Sequence, residues 1–192
     1  MLIAIQENAL EIRQWNDKSA LSKFVSCLDG GGLILGDDAA QEDEFYSAVV
    51  HYNYAGQIKD KPNEDSVGSW GIGIVSEGHG LKPQLVVLKN GILVIGLNHQ
   101  VIGISVDKRS QLFKQSFDSL FHAFLYLSSM GMLLVINEIG VIALDENGNK
   151  LWGFERDVIT ACSVRDSQID LGFMDSESVS LDLLTGGLQR RY

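Results

Sequence analysis

Gly140-Val141-Ile142-Ala143-Leu144-Asp145-Glu146-Asn147-Gly148-Asn149-Lys150-Leu151-Trp152 decides the fold class. Val141, Ile142 and Leu144 are β-formers or large apolar residues, so the first half predicts a strand. Asp145 to Asn149 supplies turn chemistry with Asn-Gly at its centre, and Leu151-Trp152 restarts an apolar run. The stretch therefore reads as strand, tight turn, strand, with Asp145 as the exit of the first.

The same unit recurs. Val106-Asp107 precedes Leu144-Asp145 by 38 residues, and Leu181-Asp182 follows it by 37. Val101 to Asp107, Gly140 to Asp145 and Ser178 to Asp182 each run as a strand up to an Asp. Before each lies another apolar strand, at Ile92 to Leu97, Met132 to Ile136 and Ile169 to Phe173. Earlier still come Leu85 to Leu88, Phe121 to Leu127 and Val158 to Val164. Leu112-Phe113, Leu151-Trp152 and Leu188 open a following strand. Four short antiparallel strands at this period make the blade of a β-propeller.

Ala143-Leu144-Asp145 followed by Leu151-Trp152, and Leu181-Asp182 with Thr185-Gly186 and Leu188, resemble the quinoprotein-type repeat over about residues 85 to 192. The unit at Asp107 keeps the Asp but has Lys108-Arg109-Ser110 in its turn, without Gly, which requires a different hairpin geometry. The resemblance implies a fold and no more. Enzymes of this type that bind pyrroloquinoline quinone are much longer and carry ligating residues on several blades. No residue here matches those, so no cofactor is expected.

The chain has 192 residues, enough for one domain with a sizeable core. The expected fold is all-β, one propeller-like domain over 1–192 of four or five four-stranded antiparallel blades. A β-sandwich or an open β repeat array is the alternative. A net charge of −10 disfavours nucleic acid, since the tight basic groups, Lys108-Arg109 and Arg190-Arg191, are too small to offset the field. No apolar run approaches the ~20 residues of a membrane helix. Glu7, Glu11 and Arg13 interrupt the place where a secretory signal would be apolar, so a cytoplasmic protein is expected.

The first 84 residues fit the period poorly. Leu2 to Asn8 aligns with Val141 to Asn147, and Leu10 to Trp15 with the strand from Leu151, so the N-terminal hairpin is expected to complete a blade shared between the chain ends. A helix over Ala9 to Ser22 is the second reading. Phe24 to Leu28 and Gly32 to Leu35 read as strands joined by Asp29-Gly30-Gly31, followed by strands at Phe45 to Tyr52 and Trp70 to Val75.

Asp145, Asn147 and Asn149 have the alternate spacing of a calcium loop. Lys150 stands where that loop needs Gly, and Arg156 where it needs a bidentate Glu, so a plain hairpin turn is expected. His51, His79, His99 and His122 form no ligand motif, and Cys27 and Cys162 lack partners at ligand spacing, so no metal site is expected. Gly30-Gly31-Gly32 and Gly71-Ile72-Gly73 lack the residues of a phosphate loop and suit turns and close packing.

Residues 1 to 66 hold 12 acidic against 5 basic residues, with Asp37, Asp38, Glu42, Asp43 and Glu44 in one acidic loop. Those five are the candidate partner-binding residues. The leading function is a non-enzymatic protein-binding module with a protein partner, basic if the acidic loop recruits it. A small enzyme with its site at a channel mouth, and an acidic inhibitor or immunity-type protein, are the alternatives.

Overall fold

A strand apolar on both faces has to be covered on both, and Met132–Asn137 and Gly140–Asp145 are such strands, buried along almost their whole length. The computed structural model describes residues 2–5, 8–36, 43–51, 68–77 and 81–189. In chain order its elements are β1 (Leu2–Ile5), β2 (Asn8–Trp15), α1 (Lys18–Ser26), β3 (Gly32–Leu35), β4 (Glu44–His51), β5 (Ser69–Ser76), β6 (Gln84–Val87), β7 (Ile92–Leu97) and β8 (Gln100–Ser105). There follow β9 (Ser110–Ser116), β10 (Phe121–Leu127), β11 (Met132–Asn137), β12 (Gly140–Asp145), β13 (Lys150–Glu155), β14 (Ile159–Arg165), β15 (Gln168–Phe173) and β16 (Ser178–Asp182).

Among the described residues the fold is all-β apart from α1, and the strands form four sheets, three of them antiparallel meanders of three or four strands and one mixed. The chain divides into two compact units, Met1–Pro83 with Ser105–Ser110, and Gln84–Ile104 with Gln111–Tyr192. The second carries the repeats. Its sheets run in sequence order, β6-β7-β8-β9, β10-β11-β12-β13 and β14-β15-β16, which is the meander of propeller blades.

These sheets stack face to face. Leu133, Val135, Ile142 and Leu144 on one face of the middle sheet pack with Leu88, Ile92, Val94 and Val101 of the first. On the opposite face Met132, Leu134, Ile136, Val141 and Ala143 pack with Ile169, Leu171, Phe173 and Leu181 of the third. Each large side chain so buried contributes about 1.5–3 kcal/mol over exposure.

Main-chain hydrogen bonds join the sheets at repeated positions. Phe117 and Phe121 donate their N–H groups to His99 and Asn98 carbonyls (2.8 and 2.6 Å), and Arg156 and Ile159 repeat this to Ile139 and Glu138 (2.9 and 2.8 Å). In return Glu138 donates to the Leu120 carbonyl, and Met174 to that of Val158.

A second repeated link is aromatic. The Phe113 ring lies where a Cβ on Gly148 would stand 2.3 Å from it, and the Trp152 ring where a Cβ on Gly186 would stand 2.8 Å away. Both glycines have positive φ, +83° and +68°, in the turn after an exit Asp of the next sheet. Gln115 Nε2 donates to the Gly148 carbonyl (3.0 Å) and Trp152 Nε1 to that of Leu183 (2.8 Å). The link has two ends. Arg109, at φ 52°, takes the left-handed place in the β8–β9 turn, and Gln189 follows Leu188 where Phe113 and Trp152 follow Leu112 and Leu151.

The first unit holds a mixed sheet, β1-β2-β4-β5-β3. Its parallel pair, Gly32↔Gly71 to Leu35↔Ile74, needs a crossover, and a crossover cannot keep the period of a meander. The N-terminal hairpin forms as expected, from Leu2↔Glu11 to Ile5↔Asn8, but β2 pairs onward with β4, from Ala9↔His51 to Trp15↔Phe45. Among the described residues it completes no blade with the C-terminal strands, since β16 pairs with β15 and, through the bridge Leu181↔Leu188, with the residues that follow it.

The strand expected at Phe24 to Leu28 is also corrected, because α1 covers Lys18–Ser26. Asp17 caps it: its backbone is extended and its side chain accepts the Ala20 N–H at 2.8 Å. Leu21 and Val25, four apart, form the buried face, and Phe24 meets the Trp15 ring at 4.6 Å. Gly71 and Gly73 leave β5 bare where Leu28 and Leu21 approach, so the Gly71-Ile72-Gly73 string serves close packing.

Alanine at Gly148 or Gly186 should lower the stability of the full chain in urea by at least about 1–2 kcal/mol, the cost of a left-handed alanine, with ring displacement added. Gly172→Ala, whose Cβ would meet nothing closer than Ala161 at 3.4 Å, should stay within about 0.5 kcal/mol of wild type.

Candidate functional site

Of the five acidic residues singled out in the sequence, Asp37, Asp38 and Glu42 lie outside the described residues. Asp43 is half-buried just before β4, and Glu44 opens that strand. The Glu44 carboxylate accepts the Tyr46 hydroxyl at 2.7 Å. Burial, then that hydrogen bond and the carboxylate's charge, push the Tyr46 phenol up to about 12. Glu44 is thus engaged within its own strand.

The described histidines sit on separate elements. His51 Nε2 lies 3.3 Å from Glu11 Oε2, and Glu11 also accepts Arg13 Nε at 2.8 Å. His99 is in the β7–β8 turn, His122 is on β10, and His79 lies outside the described residues. Among the described residues no three His, Cys, Asp or Glu side chains gather as metal ligands do. Cys27 is exposed, while burial pushes the half-buried Cys162 thiol up to about 11.

The exit aspartates hold turns. Asp145 Oδ1 accepts the Asn147 and Asn149 amides, both at 2.8 Å, and Oδ2 accepts Asn149 Nδ2 at 2.9 Å. Burial opposes ionisation of Asp145, but these hydrogen bonds outweigh it and leave its carboxyl below the ordinary value. At Asp182 the Thr185 hydroxyl and amide (both 2.9 Å) and the Leu184 amide (3.1 Å) lower the carboxyl. Glu146, beside Asp145, accepts the Tyr126 hydroxyl, whose oxygen accepts the Lys89 amide at 2.9 Å. Three hairpins are tied together there.

Two surface features remain. The first is apolar: Leu151 is 50% exposed, Leu184 69% and Leu188 64%. Trp152 lies against Gly186 and donates to Leu183, so Leu151 is the chain neighbour of the residue docked on the turn that carries Leu184. The sequence marks Leu151 and Leu188 only as strand openers. Leu151 is skipped in the β12–β13 register, where Ala143 pairs with Trp152 and Leu144 with Lys150, and that bulge turns its side chain outward.

The second is a polar groove of about 670 Å³ lined by Arg165, Asp166, Ser167, Gln168, Asp170, Ser180 and Gln189. It lies on the third sheet, on the face opposite Ile169, Leu171 and Phe173. The buried Ser180 hydroxyl donates to Asp170 Oδ1, and Arg165 Nε lies 3.5 Å from Asp170 Oδ2. Gln168-Ile169-Asp170-Leu171-Gly172-Phe173 alternates strictly, unlike the unbroken apolar run of β11, and that alternation is the sequence signal for a solvated face.

No family model and no curated protein matches the chain. Among solved structures it is similar to the computationally designed Ika4 protein, at 22% identity and TM-score 0.47 over 61% of this chain and 76% of that one. It is similar to BamB from Moraxella catarrhalis at 18% identity and TM-score 0.39, over 55% of this chain and 34% of BamB. With a europium-containing methanol dehydrogenase the values are 14% and 0.41, over 50% of this chain and 22% of that enzyme. The chain thus spans about a third and about a fifth of the length of the two natural proteins.

Because the Asp182 carboxyl is lowered in the folded chain, its contribution is present above the ordinary aspartate value of 3.8 and is lost as pH falls through the folded value. Asp182→Asn should therefore be less stable than wild type near neutrality, and the gap should close below about pH 4 in urea melts. A gap unchanged down to about pH 2 would mean the charge of Asp182 contributes nothing to the turn.

Proposed function

We propose that this chain is a protein-binding module that presents an apolar rim from a stack of β-sheets. The observation that carries it is the exposure of Leu151, next to Trp152 in the chain, and of Leu184 and Leu188, on either side of the Gly186 on which Trp152 docks. Large apolar side chains gathered at one place on a surface favour a macromolecular contact over solvent. Here they sit on a bulge and a turn held by Trp152, so a partner would meet a surface already ordered, with little ordering cost at binding.

The acidic N-terminal third supports a second element of this reading, a basic partner drawn in by charge. Residues 1 to 66 carry −7 of the net −10, with Asp37, Asp38, Glu42, Asp43 and Glu44 as the densest group. Charge of this kind acts on the encounter rate, while apolar contact sets the residence time.

Both elements are separable in one experiment. A partner isolated on the immobilised wild-type chain should be lost from the triple variant Leu151→Ser, Leu184→Ser, Leu188→Ser, with thermal melting unchanged. Neutralising the five acidic residues should instead slow association at low salt and leave the off-rate as it was. Capture by the triple variant equal to wild type would remove the rim from the reading.

A further inference from the structure

The groove on the third sheet already holds a guanidinium. Arg165 is one of its lining residues, with its side chain 76% exposed, and Nε approaches Asp170 Oδ2 only to 3.5 Å. Asp170 is better fixed, with a side chain 24% exposed and Oδ1 held by the hydroxyl of Ser180, a residue 6% exposed. One oxygen of a preoriented carboxylate thus lines the groove, with the exposed Arg165 of the same hairpin 3.5 Å away. Asp166, exposed in the two-residue turn between β14 and β15, adds a second carboxylate. Among the described residues the lining carries two Asp against one Arg, and Ser167, Gln168 and Gln189 add neutral hydrogen-bonding groups around them.

The groove lies on a face whose residues differ from those of the inner sheets. Gln189 stands where Phe113 and Trp152 dock, and Gln168, Asp170 and Ser180 stand where an inner sheet would place apolar residues. A face of this composition gains little from apolar cover. Its unsatisfied capacity is for a cationic donor, since a carboxylate oxygen has acceptor sites beyond the one long contact it has.

We propose that this groove binds a basic side chain of a partner polypeptide, an arginine in the first instance, which takes the place of Arg165 on Asp170. The planar fork of a guanidinium suits a carboxylate whose other oxygen is already held, and amide groups at the rim can accept its remaining N–H groups. The inference does not rest on the apolar rim, and either can fail alone.

The test is a titration of the isotope-labelled full chain with acetyl-Gly-Arg-Gly-amide, followed by amide chemical shifts. Saturable shifts confined to residues 165–170, 180 and 189 are expected, and acetyl-Gly-Gln-Gly-amide should give none. Arg165→Gln should bind several-fold more tightly, because it uncovers Asp170 and removes a like charge. Asp170→Asn should weaken binding by about tenfold, the loss of one charge-assisted contact. Asp166→Asn, on an exposed turn that cannot disturb the core, should weaken it by less. Asp43→Asn, which removes the same charge from the other unit, should change nothing. Shifts spread without saturation over the acidic surface would overturn the proposal. So would Asp170→Asn and Asp166→Asn both binding as wild type does, or Arg165→Gln binding more weakly.

Discussion

The repeated unit depends on one contact, an aromatic ring from the outer strand of one sheet seated on a left-handed glycine in a turn of the next. Phe113 on Gly148 and Trp152 on Gly186 are the two instances, and each brings a side-chain hydrogen bond across the same junction. The glycine is required twice over. Its φ is one that a side chain resists, and its missing Cβ is the space the ring occupies. The exit Asp supplies the third condition by binding the turn amides, which holds the glycine in place to receive the ring.

From this contact follows which sheets of the second unit are linked. Arg109 occupies the left-handed position on the first sheet and Gln189 the aromatic position on the third, so the link joins three sheets and no more in the second unit. The burial pattern agrees, since β11 and β12 are apolar on both faces while β15 alternates. The alternation leaves β15 with a polar face opposite its apolar one. That polar face carries the Asp170 groove, and the turn after β16 carries Leu184, with Leu188 just beyond it, so both candidate surfaces involve the third sheet.

Much of the second unit was legible in the sequence, because a meander places every strand beside its neighbour in the chain. The Asp-to-Asp spacing, the Asn-Gly turn and the runs Ile92 to Leu97, Phe121 to Leu127 and Gly140 to Asp145 each mark a strand that forms at those residues. The first unit was harder. Gly32–Leu35 pairs in parallel with Ser69–Ser76 across a long intervening segment, and local pattern carries no record of such a partner. The helix entered the sequence reading only as the second alternative, over Ala9 to Ser22, although Asp17 offered a cap and Leu21 and Val25 a four-residue spacing, because Phe24-Val25 has strand propensity and tertiary packing decided against it. The groove could not be read directly, since it depends on Arg165, Asp170 and Ser180 sharing a sheet face, but the alternation in β15 pointed to that face.

The contact between Trp152 and Gly186 can be measured as a coupling. In a double-mutant cycle of Trp152→Ala and Gly186→Ala, read by urea unfolding of the full chain, each single change removes the seat or the ring. If the ring on the glycine joins the sheets, the double variant should be less destabilised than the sum of the singles by about 1 kcal/mol or more. Strict additivity would contradict it, and would leave the stack dependent on general apolar burial alone.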